Sequence, residues 1–262
     1  MKNTERNELA VCGFAAVKTL EKIHWEKIQR LYFTKERAPL FGGLCKKLAG
    51  AKRPYNQVQD SVELERLCGS IHHQGVVAMI EMPEIRPLNT EDTKGWVERK
   101  ESAILLDRVG NANNLGAIVR SAAFFGIKNI VIPIDEAQSS ITTSSYRVAE
   151  GGMEFVNVYT IRSISKLLSG MEGRMMRIGT ALDAKDTVSK LGSYCRDMAS
   201  IIVLGNEENG ISQEVKRNCD HLILIPYAGM EAGEKVPKVD SLNVAQASAI
   251  IMYELSQVMP HA

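Results

Sequence analysis

The sequence predicts an α/β protein in two parts: a small α/β domain, then a larger one with a mainly parallel sheet covered by helices. Three observations lead there. Strand-like apolar runs alternate with helical patterns along most of the chain, as expected for helices laid on a parallel sheet. Several of the later runs end in turns that carry glycine, polar side chains or both. A polar stretch with Pro83 and Pro87 separates the two parts. With 262 residues, 45% of them apolar, the chain can bury a substantial core.

Taken in order, the first part shows helical spacing at 13–23, a strand at 28–33, helical spacing at 39–49, a strand at 55–58, helical spacing at 62–67 and a strand at 75–81. Residues 82–100 hold no sustained periodicity and read as a linker, with the boundary near residue 95. The expected domains are therefore 1–82 and 101–262, joined by 83–100. In the second part, strand-like runs recur at 103–106, 129–132, 155–159, 177–181, 201–204 and 222–225. Ligands of such sheets bind beyond the carboxyl ends of the strands. Three segments lie there: 114–120 after the first run, 205–210 after the fifth, and Pro226 onward after the sixth.

Composition narrows the classes. No apolar run approaches the length of a membrane span, and the first eight residues are polar, so the expected location is the cytoplasm. Cys12, Cys45, Cys68, Cys195 and Cys219 are widely spaced without a C-x-x-C pair. They read as free, mostly buried thiols, with neither a disulfide framework nor a metal site indicated. The formal charge is +1, yet residues 18–53 hold ten Lys and Arg against three Glu. Such a cluster serves either as a phosphate-attracting surface or as a solvated helix face.

The polar segments bear the chemistry. Spacing from Leu115 to Phe125, closed by Gly126, makes Asn114 the expected N-cap of a helix. Arg120 lies one turn after Gly116, and its neighbours Val119, Ala122 and Ala123 predict a half-buried guanidinium. The turn Gly205-Asn206-Glu207-Glu208-Asn209-Gly210 has neither G-x-G-x-x-G nor a G-K-[ST] ending, so dinucleotide and nucleoside-triphosphate sites lose their main support. It either starts the helix near Ser212 or presents backbone groups to an adenine or ribose. Ser241-Leu242-Asn243-Val244 opens a small-residue helix running to about Ser256, with Ser241 or Asn243 as cap.

In this order, Asn-Leu-Gly-x-x-x-Arg at 114–120, the Gly205 turn, and Ile225-Pro226 with 241–244 resemble the three motifs of the SpoU (TrmH-like) branch of the SPOUT RNA methyltransferases. Residues 13–17 and 73–78 resemble the start and end of the small L30e-like substrate-binding domain that precedes many such catalytic domains. Residues 147–154 are similar to the segment that carries small residues near the substrate. The resemblance implies a SPOUT α/β domain with a C-terminal deep trefoil knot, a homodimer, no metal, and S-adenosyl-L-methionine bound in the knot. It implies Gly205, Ile225 and Leu242 as cofactor contacts, and Arg120, Glu207 and Asn243 as the catalytic constellation, with Asn114 orienting substrate or Arg120. The expected reaction is methylation of a ribose 2′-hydroxyl in ribosomal or transfer RNA. The alternative is an RNA-binding protein, such as an assembly factor, that keeps the fold without catalysis. Arg120 is expected to stabilise charge, because a guanidinium with a pKa above about 12 is a poor base. Two departures stand out: the 229–240 segment is longer than usual, and serves either as an RNA contact through Lys235 and Lys238 or as a disordered surface loop, and Ala245-Gln246-Ala247 replaces the commoner Ser-Val-Ala.

Overall fold

The computed structural model describes residues 2–3, 7–206, 208–228 and 241–258. In chain order the elements are β1 (Lys2–Asn3), β2 (Glu8–Cys12), α1 (Phe14–His24), β3 (Ile28–Phe33), α2 (Gly42–Gly50), β4 (Tyr55–Gln57), α3 (Ser61–Cys68) and β5 (Val76–Glu81). Then follow α4 (Thr90–Arg99), β6 (Ala103–Asp107), α5 (Ala112–Phe124), β7 (Asn129–Pro133), α6 (Thr143–Ala149), β8 (Asn157–Ile161) and α7 (Ile164–Gly170). The remainder comprises β9 (Met176–Thr180), β10 (Asp186–Thr187), α8 (Leu191–Cys195), β11 (Ser200–Gly205), α9 (Gln213–Arg217), β12 (His221–Leu224) and α10 (Val244–Ser256). They form two compact units, one of residues 1–84 with 140–155, the other of residues 85–139 with 156–262.

The first unit carries a five-stranded sheet in the order β1-β2-β5-β3-β4, antiparallel except for the β3–β4 pair. No element is expected from the sequence at β2, although its Leu9-Ala10-Val11-Cys12 run is apolar and all five of its residues are buried. α3 starts on Asp60, whose side chain accepts from the Val62 N–H, and ends at Gly69 in the left-handed region. It seats Leu64 and Cys68 against Ala10, Cys12, Val77 and Met79 of the sheet. Glu154 is a buried carboxylate of this unit, 2.9 Å from both His24 Nδ1 and Lys27 Nζ. His72 and His73 read alike in sequence, but only His72 is exposed. His73 is buried, and its Nδ1 accepts the Gly75 N–H at 3.0 Å.

The second unit holds a seven-stranded, wholly parallel sheet in the order β10-β12-β9-β11-β6-β7-β8. Both faces of its centre are covered, which is why β6 and β11 read as unbroken runs such as Ile104-Leu105-Leu106 and Ile201-Ile202-Val203-Leu204. One core cluster joins Leu105, Val131, Ile201 and Val203 to Leu168 of α7 and Val215 of α9. From β6 the chain builds outward through β7 to β8, then returns with β9 beyond β11. The direction of winding therefore reverses between β6 and β11, and their carboxyl ends form the topological switch point.

The stretch expected to be an irregular linker contains α4. Asn89 and Asp92 form a reciprocal capping box, and Trp96 is buried edge-on against Tyr159 with ring centroids 5.5 Å apart. A single large apolar anchor leaves no periodic pattern to read. Upstream, Arg86 forms a two-pronged pair with Asp92, and Leu88 N–H donates to the Thr160 carbonyl. All five cysteines are free, with Cys12, Cys68 and Cys195 buried and Cys45 and Cys219 partly so. Among the described residues no helix is long and apolar enough to cross a membrane.

Candidate active site

At the carboxyl ends of β9, β11 and β12 lies a cavity of about 1010 Å³. Thr180 to Asp183 form one wall, Leu204 to Asn206 with Glu208 to Ile211 another, and Ile223 to Ala228 a third. Lys216 of α9, with Ser241, Leu242, Val244, Ala247 and Ile251 ahead of and along α10, completes the lining. Gly205, Ile225 and Leu242, far apart in sequence, all face this one space. The volume suits a nucleoside-sized ligand.

Gly205 is where the cavity wall is tightest. A Cβ there would sit 2.3 Å from both the Gly210 carbonyl carbon and the Ile211 nitrogen, so only glycine lets the turn fold back on its strand. Apolar lining from Leu204, Ile211, Ile223 and Val244 suits an adenine ring, and backbone groups at the strand ends suit its polar edge. Glu208 adds a carboxylate that suits a cationic centre, whereas the Asp183 carboxylate is paired with Lys216 of the same lining. Asp183 is held below the usual carboxylate range by its hydrogen bond with Lys216 at 2.7 Å.

The residues expected to act on the substrate stand elsewhere. Asn114 is not the cap of α5: Asn111 caps it by accepting the Asn113 N–H at 2.8 Å, and Asn114 falls in the first turn. The helix begins three residues earlier than its apolar spacing implies, because Ala112 to Asn114 contribute backbone without a periodic apolar mark. That shift frees the Asn114 side chain to reach across the fold, where its Oδ1 accepts from Asn243 Nδ2 at 3.2 Å. Asn243 caps α10 through the Ala245 N–H at 2.9 Å, so two of the four expected catalytic side chains meet at the starts of packed helices. Arg120 is exposed rather than half-buried. It lies on the outer side of α5, whose inner side buries Leu115, Ile118, Val119 and Ala122. Glu207 lies outside the described residues, as do Lys235, Lys238 and the rest of 229–240.

Sequence reading missed the residues that brace the switch point. Asp107, buried at the end of β6, accepts from the Arg108 guanidinium at 2.8 Å and from the Ser212 N–H at 3.3 Å. Arg108 has a φ of +59°, rare for a residue other than glycine. Gln138 clamps the next residue, accepting the Val109 N–H at 2.9 Å and donating to its carbonyl at 3.0 Å. None of these has a periodic or compositional mark, because each acts through a few individual polar contacts that the fold brings together. Among the described residues, no cluster of three or more His, Cys, Asp or Glu side chains could hold a metal ion.

Residues 101–253 match the family described as "SpoU rRNA Methylase family", and residues 10–86 match that described as "RNA 2'-O ribose methyltransferase substrate binding". The chain is 28% identical over 249 residues to the 23S rRNA (guanosine-2'-O-)-methyltransferase RlmB of Acinetobacter baylyi, covering 92% of this chain and 94% of that protein. It is also 28% identical to RlmB of Pseudomonas aeruginosa, covering 94% of each chain. In fold it is similar to the SpoU methyltransferase AviRb from Streptomyces viridochromogenes in complex with the cofactor AdoMet, with a TM-score of 0.73 at 21% identity over 97% of this chain and 92% of that one. An rRNA methyltransferase from Sinorhizobium meliloti gives a TM-score of 0.76 at 19% identity, over 98% and 90% of the two chains.

Proposed function

The chain belongs to the SpoU rRNA methylase family, and from that premise we propose that it transfers the methyl group of S-adenosyl-L-methionine to a ribose 2′-hydroxyl of RNA. The observation that carries this reading is the convergence of Gly205, Ile225 and Leu242 on one cavity beyond the strand ends. Of the two RNA classes considered, ribosomal RNA is favoured, because the relatives aligned over nearly their whole length are named for guanosine 2′-O-methylation of 23S rRNA. Residues 1–82 are the proposed RNA-binding domain, 83–100 the connection and 101–262 the catalytic domain, with a deep knot proposed at the C-terminal end of the last. The proposed location is the cytoplasm.

Bound in the cavity, the cofactor supplies an electrophilic methyl on a positively charged sulfur. Transfer would form the carbon–oxygen bond as the carbon–sulfur bond breaks, S-adenosylhomocysteine leaving and the hydroxyl proton passing to water, so positioning and charge stabilisation by this chain's residues would carry the rate. In this reading Arg120 stabilises the developing alkoxide or clamps an adjacent phosphate, and Glu207 holds Arg120. Asn243 and Asn114 orient the acceptor through their shared hydrogen bond. No step requires a metal.

The proposed assembly is a homodimer. α5 and α10 pack together and present an aromatic cluster of Phe124, Phe125 and Tyr253, with Phe124 82% and Tyr253 52% exposed. A second copy is the natural cover for these exposed aromatic rings. Phe124 follows Arg120 by one helical turn, so the covered surface would run beside the proposed catalytic side chain.

The test is transfer of labelled methyl from S-adenosyl-L-methionine to unmodified total RNA. Label in alkali-resistant dinucleotides is the expected result. Absence of both transfer and cofactor binding would favour the non-catalytic RNA-binding alternative.

A further inference from the structure

We propose that Asn206 is a positioning residue that ties the cofactor turn to the acceptor loop, so that the two move as one unit. The inference rests on the methyl-transfer reading and adds to it a coupling between the two substrates' sites.

The Asn206 side chain is divided between two tasks. Its Oδ1 accepts the N–H groups of Glu208 at 2.9 Å and Asn209 at 3.1 Å, and its backbone carbonyl accepts the Gly210 N–H at 2.8 Å. These three bonds curl the turn that brings Gly210 against Gly205 and so shape the cavity wall. Its Nδ2 points the other way, donating to the Arg108 carbonyl at 3.0 Å, 98 residues distant in sequence.

Arg108 opens the loop from β6 to α5, and its left-handed backbone is costly for a side chain with a Cβ. Such a conformation persists only where its surroundings hold it. Asn206 holds the carbonyl, Asp107 holds the guanidinium, and Gln138 holds the following residue from the far side. Ser212 N–H adds a second cross-link from beyond the turn to Asp107. The loop so fixed runs through the Asn111 cap to Asn114, which meets Asn243. One amide therefore sets both the cavity wall and the entry to the helix bearing Arg120, at the point where β6 and β11 lie side by side in register, Gly205 opposite Asp107.

Asn206→Asp separates the tasks, because it keeps the oxygen that the turn needs and sets a second oxygen against the Arg108 carbonyl. Gln138→Ala loosens the same loop without touching the turn. Asn206→Ala removes both functions. Cofactor affinity by calorimetry, kcat and KM for RNA, and thermal melting would be measured on the full chain. Expected for Asn206→Asp and Gln138→Ala is a cofactor Kd within about threefold of wild type and a kcat at least tenfold lower. Asn206→Ala is expected to lose at least tenfold in both. Wild-type kcat in Asn206→Asp, or a fall in kcat matched by an equal loss of cofactor affinity, overturns the coupling. If Asn206→Asp does not fold, Gln138→Ala decides: unchanged kcat overturns the proposal. Failure of the wild-type chain itself to transfer methyl overturns instead the reading beneath it.

Discussion

Gly205 and Arg120 illustrate two ways in which one side chain matters. At Gly205 the requirement is space: Gly205→Ala forces a methyl group to within 2.3 Å of backbone that has nowhere to go. The expected result is a cofactor affinity reduced at least tenfold, read by calorimetry, with the turn displaced. At Arg120 the requirement is charge. Because the side chain is exposed, Arg120→Ala should leave melting temperature and cofactor affinity close to wild type while kcat falls about 10²–10³-fold, the range for removing a charge-stabilising donor. Loss of cofactor binding in that variant would instead make Arg120 a structural residue. The glycine was readable in sequence as part of a turn, and the arginine as part of a motif. The cap was expected at Asn114 and lies at Asn111, because an asparagine three residues earlier caps a helix equally well and only the fold decides where the helix starts.

Elements of the second unit are held by pairings that periodicity does not encode. Arg177 of β9 reaches Asp220, just ahead of β12, through Nε at 3.0 Å and Nη2 at 2.5 Å, and its backbone N–H donates to the same carboxylate at 2.8 Å. These bonds hold the Asp220 carboxyl below its usual range. A depressed folded-state pKa contributes stability that is complete above the unfolded carboxyl value, about 3.9. That contribution is lost as pH falls through the folded value. Asp220→Asn should therefore lower unfolding stability by about 2 kcal/mol at pH 7, less than a fully buried pair because the Asp220 side chain is 31% exposed. The difference from wild type should shrink below about pH 4 in urea titrations. α4 offers a second test, in which Asn89→Ala removes the cap and is expected to cost about 1 kcal/mol by the same measurement. Unbroken apolar runs marked the central strands well. α4 escaped notice because it is anchored by a single tryptophan, whereas β2 escaped it despite being an apolar run like β6 and β11.

At the scale of the whole molecule, Phe124→Glu is expected to convert the proposed homodimer to a monomer in light scattering, and to reduce methyl transfer while each chain still binds cofactor. A variant that stays dimeric would place the interface elsewhere. Most of the order of strands and helices, apart from β1, β2, α4 and β10, was legible in the sequence, as were the parallel character of the second sheet and the three polar segments at its strand ends, since each follows from local periodicity and chain order. What only the tertiary structure decided is which distant residues meet: Gly205 with Ile225 and Leu242 around one cavity, Asn114 with Asn243, Asn206 with Arg108, and residues 140–155 with the first unit. Periodicity reports only which face of an element is buried. A contact between one amide and one carbonyl 98 residues away leaves no periodic trace, and exists only because the order of strands sets the ends of β6 and β11 side by side.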